Sequence, residues 1–277
     1  IGEHEHKDFE DYMYCKSLLF KQCKLGIFNG DSEHVEGILK GHTCEVETFG
    51  YQKTNDLVAE NVTLLNENGA LGVCYRVGGK YDMQVEVNVP GSFSVYNSLT
   101  AIAICKHFGV EEDLIKKALL NVHVKGRIEL LPISNRFTLM IDYAHNAMSL
   151  ESLLTTLKEY EPGRLVCLFG CGGDRDRTKR PQMGEIAAKL ADFVIVTSDN
   201  PRDEDPNKII EEICAGCDKN VLVEPDRVKA IEMALTMSAK NDIIILIGKG
   251  NEPSLFSEGK MISCTDHDVV LRYLKED

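Results

Sequence analysis

Two rhythms of apolar residues divide this chain. Over residues 9–22, Phe9, Met13, Leu18 and Leu19 recur at roughly helical spacing, and 25–29 has the apolar content of a short strand. Between 43 and 89 the period falls to two: Val46, Val58, Val62, Leu64, Val73, Tyr75, Val77, Val85, Val87 and Val89 alternate with polar residues. The breaks at Asn68-Gly69 and Gly78-Gly79 are hairpin signals, because tight turns between twisted strands need the positive φ that glycine adopts freely. The pattern predicts a small antiparallel sheet. Pro90-Gly91 ends it, and helices are expected over 95–107 and 112–120.

After Gly126 the strands become continuously apolar. They are expected over 137–142, 165–169, 193–197, 221–223 and 243–247, alternating with amphipathic helices over 150–160, 183–190, 207–215 and 228–238. Strands without a polar face must be covered on both sides, so this half predicts an α/β, doubly wound domain around a parallel sheet. The domain boundary is placed at 124/125, with Lys125-Gly126 as the hinge, since glycine tolerates the backbone changes of domain rotation. In such sheets ligands bind beyond the carboxyl ends of the strands. There the chain concentrates its glycine and polar residues: Asp142 to His145, Gly170 to Arg175, Asp199 to Arg202 and Gly248 to Glu252.

Composition narrows the function classes. At 277 residues and 43% hydrophobic content the chain can bury two ordinary cores. A formal charge of −13 repels phosphate backbones and anionic lipid, so neither nucleic acid nor a membrane is an expected partner. The longest apolar run, 243–247, falls far short of the roughly 20 residues of a membrane span. Ten widely spaced cysteines fit a reducing cytoplasm better than a disulfide scaffold. Cys214 and Cys217 form a lone C-x-x-C and are expected to fill a helix end rather than bind metal. The opening Ile1-Gly2-Glu3-His4-Glu5-His6 has neither a start methionine nor a signal pattern, so a piece of a longer protein is expected. His4 and His6 are expected to be solvated rather than metal-bound.

The turns also carry chemistry. Arg175, Arg177 and Arg180 can each grip a carboxylate through two N–H groups, which points to an anionic ligand. Asp199 and Asn200 can accept from an ammonium group, and Arg202 can hold a carboxylate. The set has the composition of a clamp for a zwitterion. No segment fits the phosphate-cradling G-x-x-x-x-G-K-[ST] pattern: Gly79-Lys80, Gly248-Lys249 and Gly259-Lys260 lack both the spaced upstream glycine and the following hydroxyl residue. The glycines after Phe169 also fail the G-x-G-x-x-G pattern, which disfavours a nicotinamide dehydrogenase.

Taken together, Gly91 to Asn97, Gly126-Arg127, Asp142-Tyr143-Ala144-His145, the stretch 169–180, Thr197 to Arg202 and the Gly-Lys-Gly-x-Glu at Gly248 resemble the Mur ligases of peptidoglycan synthesis over nearly the whole chain. The resemblance implies an ATP-dependent amide ligase in which residues 1–124 are the C-terminal part of a P-loop-type central ATPase domain, its P-loop absent. Residues 125–277 would be the complete amino-acid-binding ligase domain. The implied substrates are ATP, a UDP-MurNAc-dipeptide and meso-diaminopimelate, with Mg2+ as the metal and the N-terminal half of the same protein as the missing partner. Carried over residue by residue, Lys16 matches a carbamylated lysine that holds magnesium, Asn97 an adenine contact, Arg127 a phosphate contact and Asp142 a ribose contact, with His145 beside the nucleotide. Arg175, Asp199, Asn200, Arg202, Gly248 and Glu252 match the diaminopimelate pocket. Asn251 stands where the family usually has His, and Pro253-Ser254-Leu255 replaces its usual Asp-Tyr-Gln. A lysine-adding Mur ligase, a folylpolyglutamate or cyanophycin synthetase, or a non-catalytic amino-acid-binding module are the alternatives; Arg202 after Asp199-Asn200-Pro201 favours an incoming amino acid with a distal carboxylate.

Overall fold

The structure, a computed structural model, describes residues 7–67, 70–218 and 221–276, so His4 and His6 and the Asn68-Gly69 turn lie outside the described residues. The chain forms two compact units, one of residues 1–64 with 72–122 and one of 65–71 with 123–277.

In the first unit, α1 (Phe9–Ser17) starts where the Asp8 carboxylate accepts from the Asp11 N–H at 2.8 Å. This N-cap satisfies one of the donors that a helix start leaves open. A 3-10 turn, Leu18–Lys21, leads into β1 (Leu25–Asn29), and α2 (Val35–Ile38) is a single turn. Strands β2 (Glu45–Gly50), β3 (Leu57–Glu67), β4 (Ala70–Gly79) and β5 (Met83–Val87) complete a sheet of order β1-β2-β3-β4-β5. β1, β2 and β3 pair in parallel and β4 with β5 antiparallel. The sheet is therefore mixed, where the alternation predicted a small antiparallel one. Period-two alternation reports only that one face is buried; strand direction is set by the connections. The expected turn after Gly79 is present, with that residue at φ +87°. Helices α3 (Ser92–His107) and α4 (Glu112–Leu120) cover one face, packing Val95, Leu99, Ile102 and Ile115 onto Leu57, Val73, Tyr75 and Val85.

The second unit has the predicted doubly wound plan. β6 (Glu129–Leu131), β7 (Thr138–Asp142), β8 (Leu165–Phe169), β9 (Phe193–Val196), β10 (Leu222–Val223) and β11 (Ile243–Ile247) form a sheet of order β10-β9-β8-β11-β7-β6. All pair in parallel except β6, an antiparallel edge strand that the sequence pattern did not reveal. Every residue of β7, β8 and β11 is buried, as their continuous apolar character requires. Helices α5 (Ala147–Lys158), α6 (Lys179–Leu190) and α7 (Pro206–Cys214) bury Leu150, Leu154, Met183, Ala187, Ile210 and Ile213 against one face. On the other lie α8 (Arg227–Thr236), the hairpin of β12 (Leu255–Ser257) and β13 (Lys260–Ile262), and α9 (Asp266–Glu276). The hairpin and α9 were not anticipated. Leu255, fully buried in this second layer, explains the apolar residue that closes the unusual Pro253-Ser254-Leu255.

The chain runs outward through β8, β9 and β10, and α8 then returns it so that β11 inserts between β8 and β7. That reversal opens a crevice at the carboxyl ends of the strands, the general ligand position in such folds. Gly126 takes φ +69°, and a Cβ there would stand 2.5 Å from the Asn251 nitrogen. Glycine is needed here for close approach of two backbones, with its own N–H bonded to the Glu129 carboxylate at 2.7 Å. Among the described residues no helix is long and apolar enough to cross a membrane.

Candidate functional site

Four loops leave the carboxyl ends of β7, β8, β9 and β11, which the strand order makes neighbours. Between them lies a cavity of about 220 Å³ lined by Tyr143, His145, Gly172, Arg175, Lys179, Asp199, Asn200, Arg202, Gly248 and Glu252. Seven residues singled out from the sequence thus meet in one place: His145, Arg175, Asp199, Asn200, Arg202, Gly248 and Glu252.

Each is placed by local chemistry. Gly248 takes φ +108°, and a Cβ there would stand 2.8 Å from Asp199 Oδ2, so only glycine lets the carboxylate lie across the end of β11. Asp199 Oδ1 accepts from the Asn200 N–H at 2.6 Å. Arg202 occupies the left-handed region at φ +50°, and its N–H reaches Asn200 Oδ1 at 3.3 Å. Arg202 does not cap α7; the Asp205 carboxylate does, accepting from the Asn207 N–H at 2.9 Å. Glu252 Oε1 accepts from the Tyr143 hydroxyl at 3.0 Å, and this carboxylate raises the Tyr143 pKa above the usual phenol value. Lys179 Nζ donates to the His145 carbonyl at 2.8 Å, joining the first loop to α6.

The three arginines after Phe169 part company. Arg180 is fully buried, its guanidinium bonded to Glu204 and Glu212 and to the Gly172 carbonyl. Arg177 pairs with Glu212 as well. Neither lines the cavity: Arg180 fastens the 170–178 loop to the 201–205 turn and to α7, and Arg177 ties it to α7. Arg175 and Arg202 are exposed and make no ion pair among the described residues, which leaves two cations free at the cavity.

Three contributors escaped the sequence reading. Tyr143 and Lys179 sit in segments already noted, but their bonding partners come from other loops. Lys249 is the third: fully buried, its Nζ lies 3.2 Å from Asp199 Oδ1 and 3.5 Å from Glu252 Oε2. The available signal was its place in the Gly-Lys-Gly turn ending an apolar strand.

Of the residues expected at a nucleotide, His145 lines the cavity and the others do not. Asp142 is 7% exposed, with Oδ2 accepting from the Ile128 N–H at 2.8 Å and Oδ1 from the Ala144 N–H at 2.7 Å. Burial pushes its pKa above the usual carboxylate value despite these donors. In this structure it ties the 126–128 turn to the end of β7. Arg127 lies over the Tyr143 ring, 5.2 Å from its centroid. Lys16, on α1, and Asn97, on α3, belong to the first unit and are exposed, with Lys16 Nζ 5.3 Å from the Tyr12 ring centroid. Cys217 closes the end of α7, its thiol donating to the Gly184 and Ile213 carbonyls. Among the described residues no three His, Cys, Asp or Glu side chains converge on a metal position.

Comparison with known proteins adds the family. The Mur ligase middle domain profile matches residues 3–105, and that of the Mur ligase glutamate ligase domain matches 126–250. Proteins of Clostridium acetobutylicum and Aquifex aeolicus, each named as a UDP-N-acetylmuramoyl-L-alanyl-D-glutamate--2,6-diaminopimelate ligase, are 39% and 40% identical over 276 residues. Each alignment covers 98% of this chain and 56% of the relative, so the chain spans little more than half their length. A solved structure of a ligase of that name superposes with a TM-score of 0.72 at 27% identity, over 99% of this chain and 58% of the other.

Proposed function

The chain belongs to the Mur ligase family, and from that premise we propose that it is the part of an ATP-dependent ligase that binds meso-diaminopimelate and presents it to UDP-MurNAc-L-Ala-D-Glu. One observation carries the reading. The cavity beyond β7, β8, β9 and β11 sets two guanidinium groups that make no ion pair among the described residues, Arg175 and Arg202, against two carboxylates, Asp199 and Glu252. That pattern complements a ligand end bearing both an ammonium and a carboxylate.

The chemistry gives such a site its use. A free carboxylate at neutral pH is a poor acyl donor, so ATP would phosphorylate the D-Glu γ-carboxylate. The amine of the bound amino acid would then attack the acyl phosphate, and inorganic phosphate would leave as the amide forms. Holding one end of diaminopimelate in the cavity fixes the direction in which its other amine emerges, converting a bimolecular attack into an oriented one. Asn97, Arg127, Asp142 and His145 are the proposed nucleotide residues. Lys16 is exposed, so its amine is open to carbamylation, which would give it the oxygen donors that magnesium prefers. We assign 1–124 to the middle domain and 125–277 to the ligase domain.

Calorimetric titration of this chain tests the reading. Meso-diaminopimelate should give a saturable heat, and L-lysine, without the distal carboxylate, a much weaker one. Equal binding of the two, or none, would refute the substrate assignment.

A further inference from the structure

Lys249 lies fully buried against Asp199 and Glu252, two of the residues that line the cavity, and nothing in the reaction above uses it. Its side chain has no exposure, while those of its partners Asp199 and Glu252 are 12% and 41% exposed. Burying an ammonium group is costly unless its partners compensate. The same unit offers a contrast. Arg227 and Asp266 form an ion pair with both side chains at zero exposure; neither lines the cavity, although Arg227 also donates to the Ile247 carbonyl at 3.2 Å, next to Gly248. Both partners of Lys249 line the cavity.

The geometry also divides the oxygens. Lys249 faces Asp199 Oδ1 and Glu252 Oε2, leaving Asp199 Oδ2 beside Gly248 and Glu252 Oε1 under the Tyr143 hydroxyl. Two carboxylates this close repel one another, and Glu252, the more exposed, is held against that repulsion by the Tyr143 hydroxyl and the Lys249 ammonium. The glycines on either side let the chain turn so that the cation points inward: Gly248 at φ +108° and Gly250 at φ +52°.

We propose that Lys249 is a positioning residue for the amino-acid site: its buried ammonium holds Asp199 and Glu252 together and leaves one net negative charge on the floor, matched to a single ligand ammonium. This rests on the substrate reading above and adds the group that organises the receptor for the ammonium end. The floor then has three fixed charges, two negative and one positive, and the ligand supplies the fourth.

The test compares two ligands with and without ammonium groups, meso-diaminopimelate and pimelate, titrated calorimetrically into this chain and its Lys249→Met and Lys249→Arg variants. The unchanged protein should prefer meso-diaminopimelate. Lys249→Met should lose about tenfold of that preference, the worth of one charge-assisted hydrogen bond, while pimelate binding changes little. Lys249→Arg should restore most of it. Equal weakening of both ligands would show a structural role alone and overturn the proposal, and so would a preference that survives. A preference that rises would also overturn it, by showing that Lys249 competes with the ligand. Failure of the unchanged protein to prefer meso-diaminopimelate would instead bring down the substrate reading, and this proposal with it. Circular dichroism checks the fold; if the Met variant does not fold, Lys249→Gln removes the charge with a hydrogen-bonding group retained and reads the same ratio.

Discussion

Selectivity at the cavity turns on single charges. Diaminopimelate differs from lysine by one carboxylate, and Arg202, exposed at the cavity and without an ion pair among the described residues, is placed to receive it. Arg175 lies on the facing loop and can assist. Removing a guanidinium from a carboxylate loses about 1.5–3 kcal/mol of charge-assisted bonding, and the unpaired anion adds to the cost. Arg202→Ala should therefore weaken meso-diaminopimelate by on the order of ten- to several hundred-fold and leave L-lysine nearly unchanged, as read by dissociation constants. If the variant still discriminates between the two, the distal carboxylate is recognised elsewhere. Arg180 shows why residue type alone was a poor guide. It has the same guanidinium and lies on the same stretch as Arg175, yet it is sealed inside by Glu204 and Glu212.

Among the elements, the 170–178 loop matters most because it has no regular structure of its own. It is held by the Arg180 network and by the Asp174 N–H, which donates to Glu204 Oε1 at 2.6 Å. Glu204 accepts from both terminal nitrogens of Arg180 at 2.8 Å, and the Arg180 guanidinium holds its pKa down at about 2. The sign follows from linkage. A carboxylate whose folded pKa is depressed contributes stability that is fully present above its ordinary value of 4.5 and is lost as pH falls toward 2. Thermal melts recorded between pH 5 and about pH 2 should show the unchanged protein losing this contribution on acidification. Glu204→Gln should start lower at neutral pH and lose less over the same window. Parallel melting curves for the two proteins would mean that the Arg180 pair does not hold the loop. Meso-diaminopimelate binding should weaken along with it, since Arg175 rides on that loop.

At the scale of the molecule, the chain folds as two compact units, and two family profiles match it at residues 3–105 and 126–250. No stretch of the sequence has the phosphate-cradling pattern, so the purified chain should hydrolyse no ATP above a protein-free blank. Turnover by this chain would require a phosphate site of another kind. The sequence by itself determined the doubly wound architecture of the second unit, the positions of nearly all the larger helices and strands, and the four polar turns, because period and turn chemistry are properties of neighbouring residues. It also carried the family, through motifs that are themselves local. The short edge strand β6 and the β12–β13 hairpin stayed hidden, as three-residue strands have too few positions to show a period. Only the tertiary structure decided that β1, β2 and β3 run parallel, since alternation is the same in either direction. It alone set β11 between β8 and β7, which makes neighbours of turns far apart in the chain. And it alone sorted the cations. Lys249 meets Asp199 across 50 residues of sequence, and Arg180 meets Glu204 across 24. Whether a charged side chain faces a ligand or a partner inside the protein depends on which distant carboxylate the fold brings within about 3 Å, and no local pattern encodes that distance.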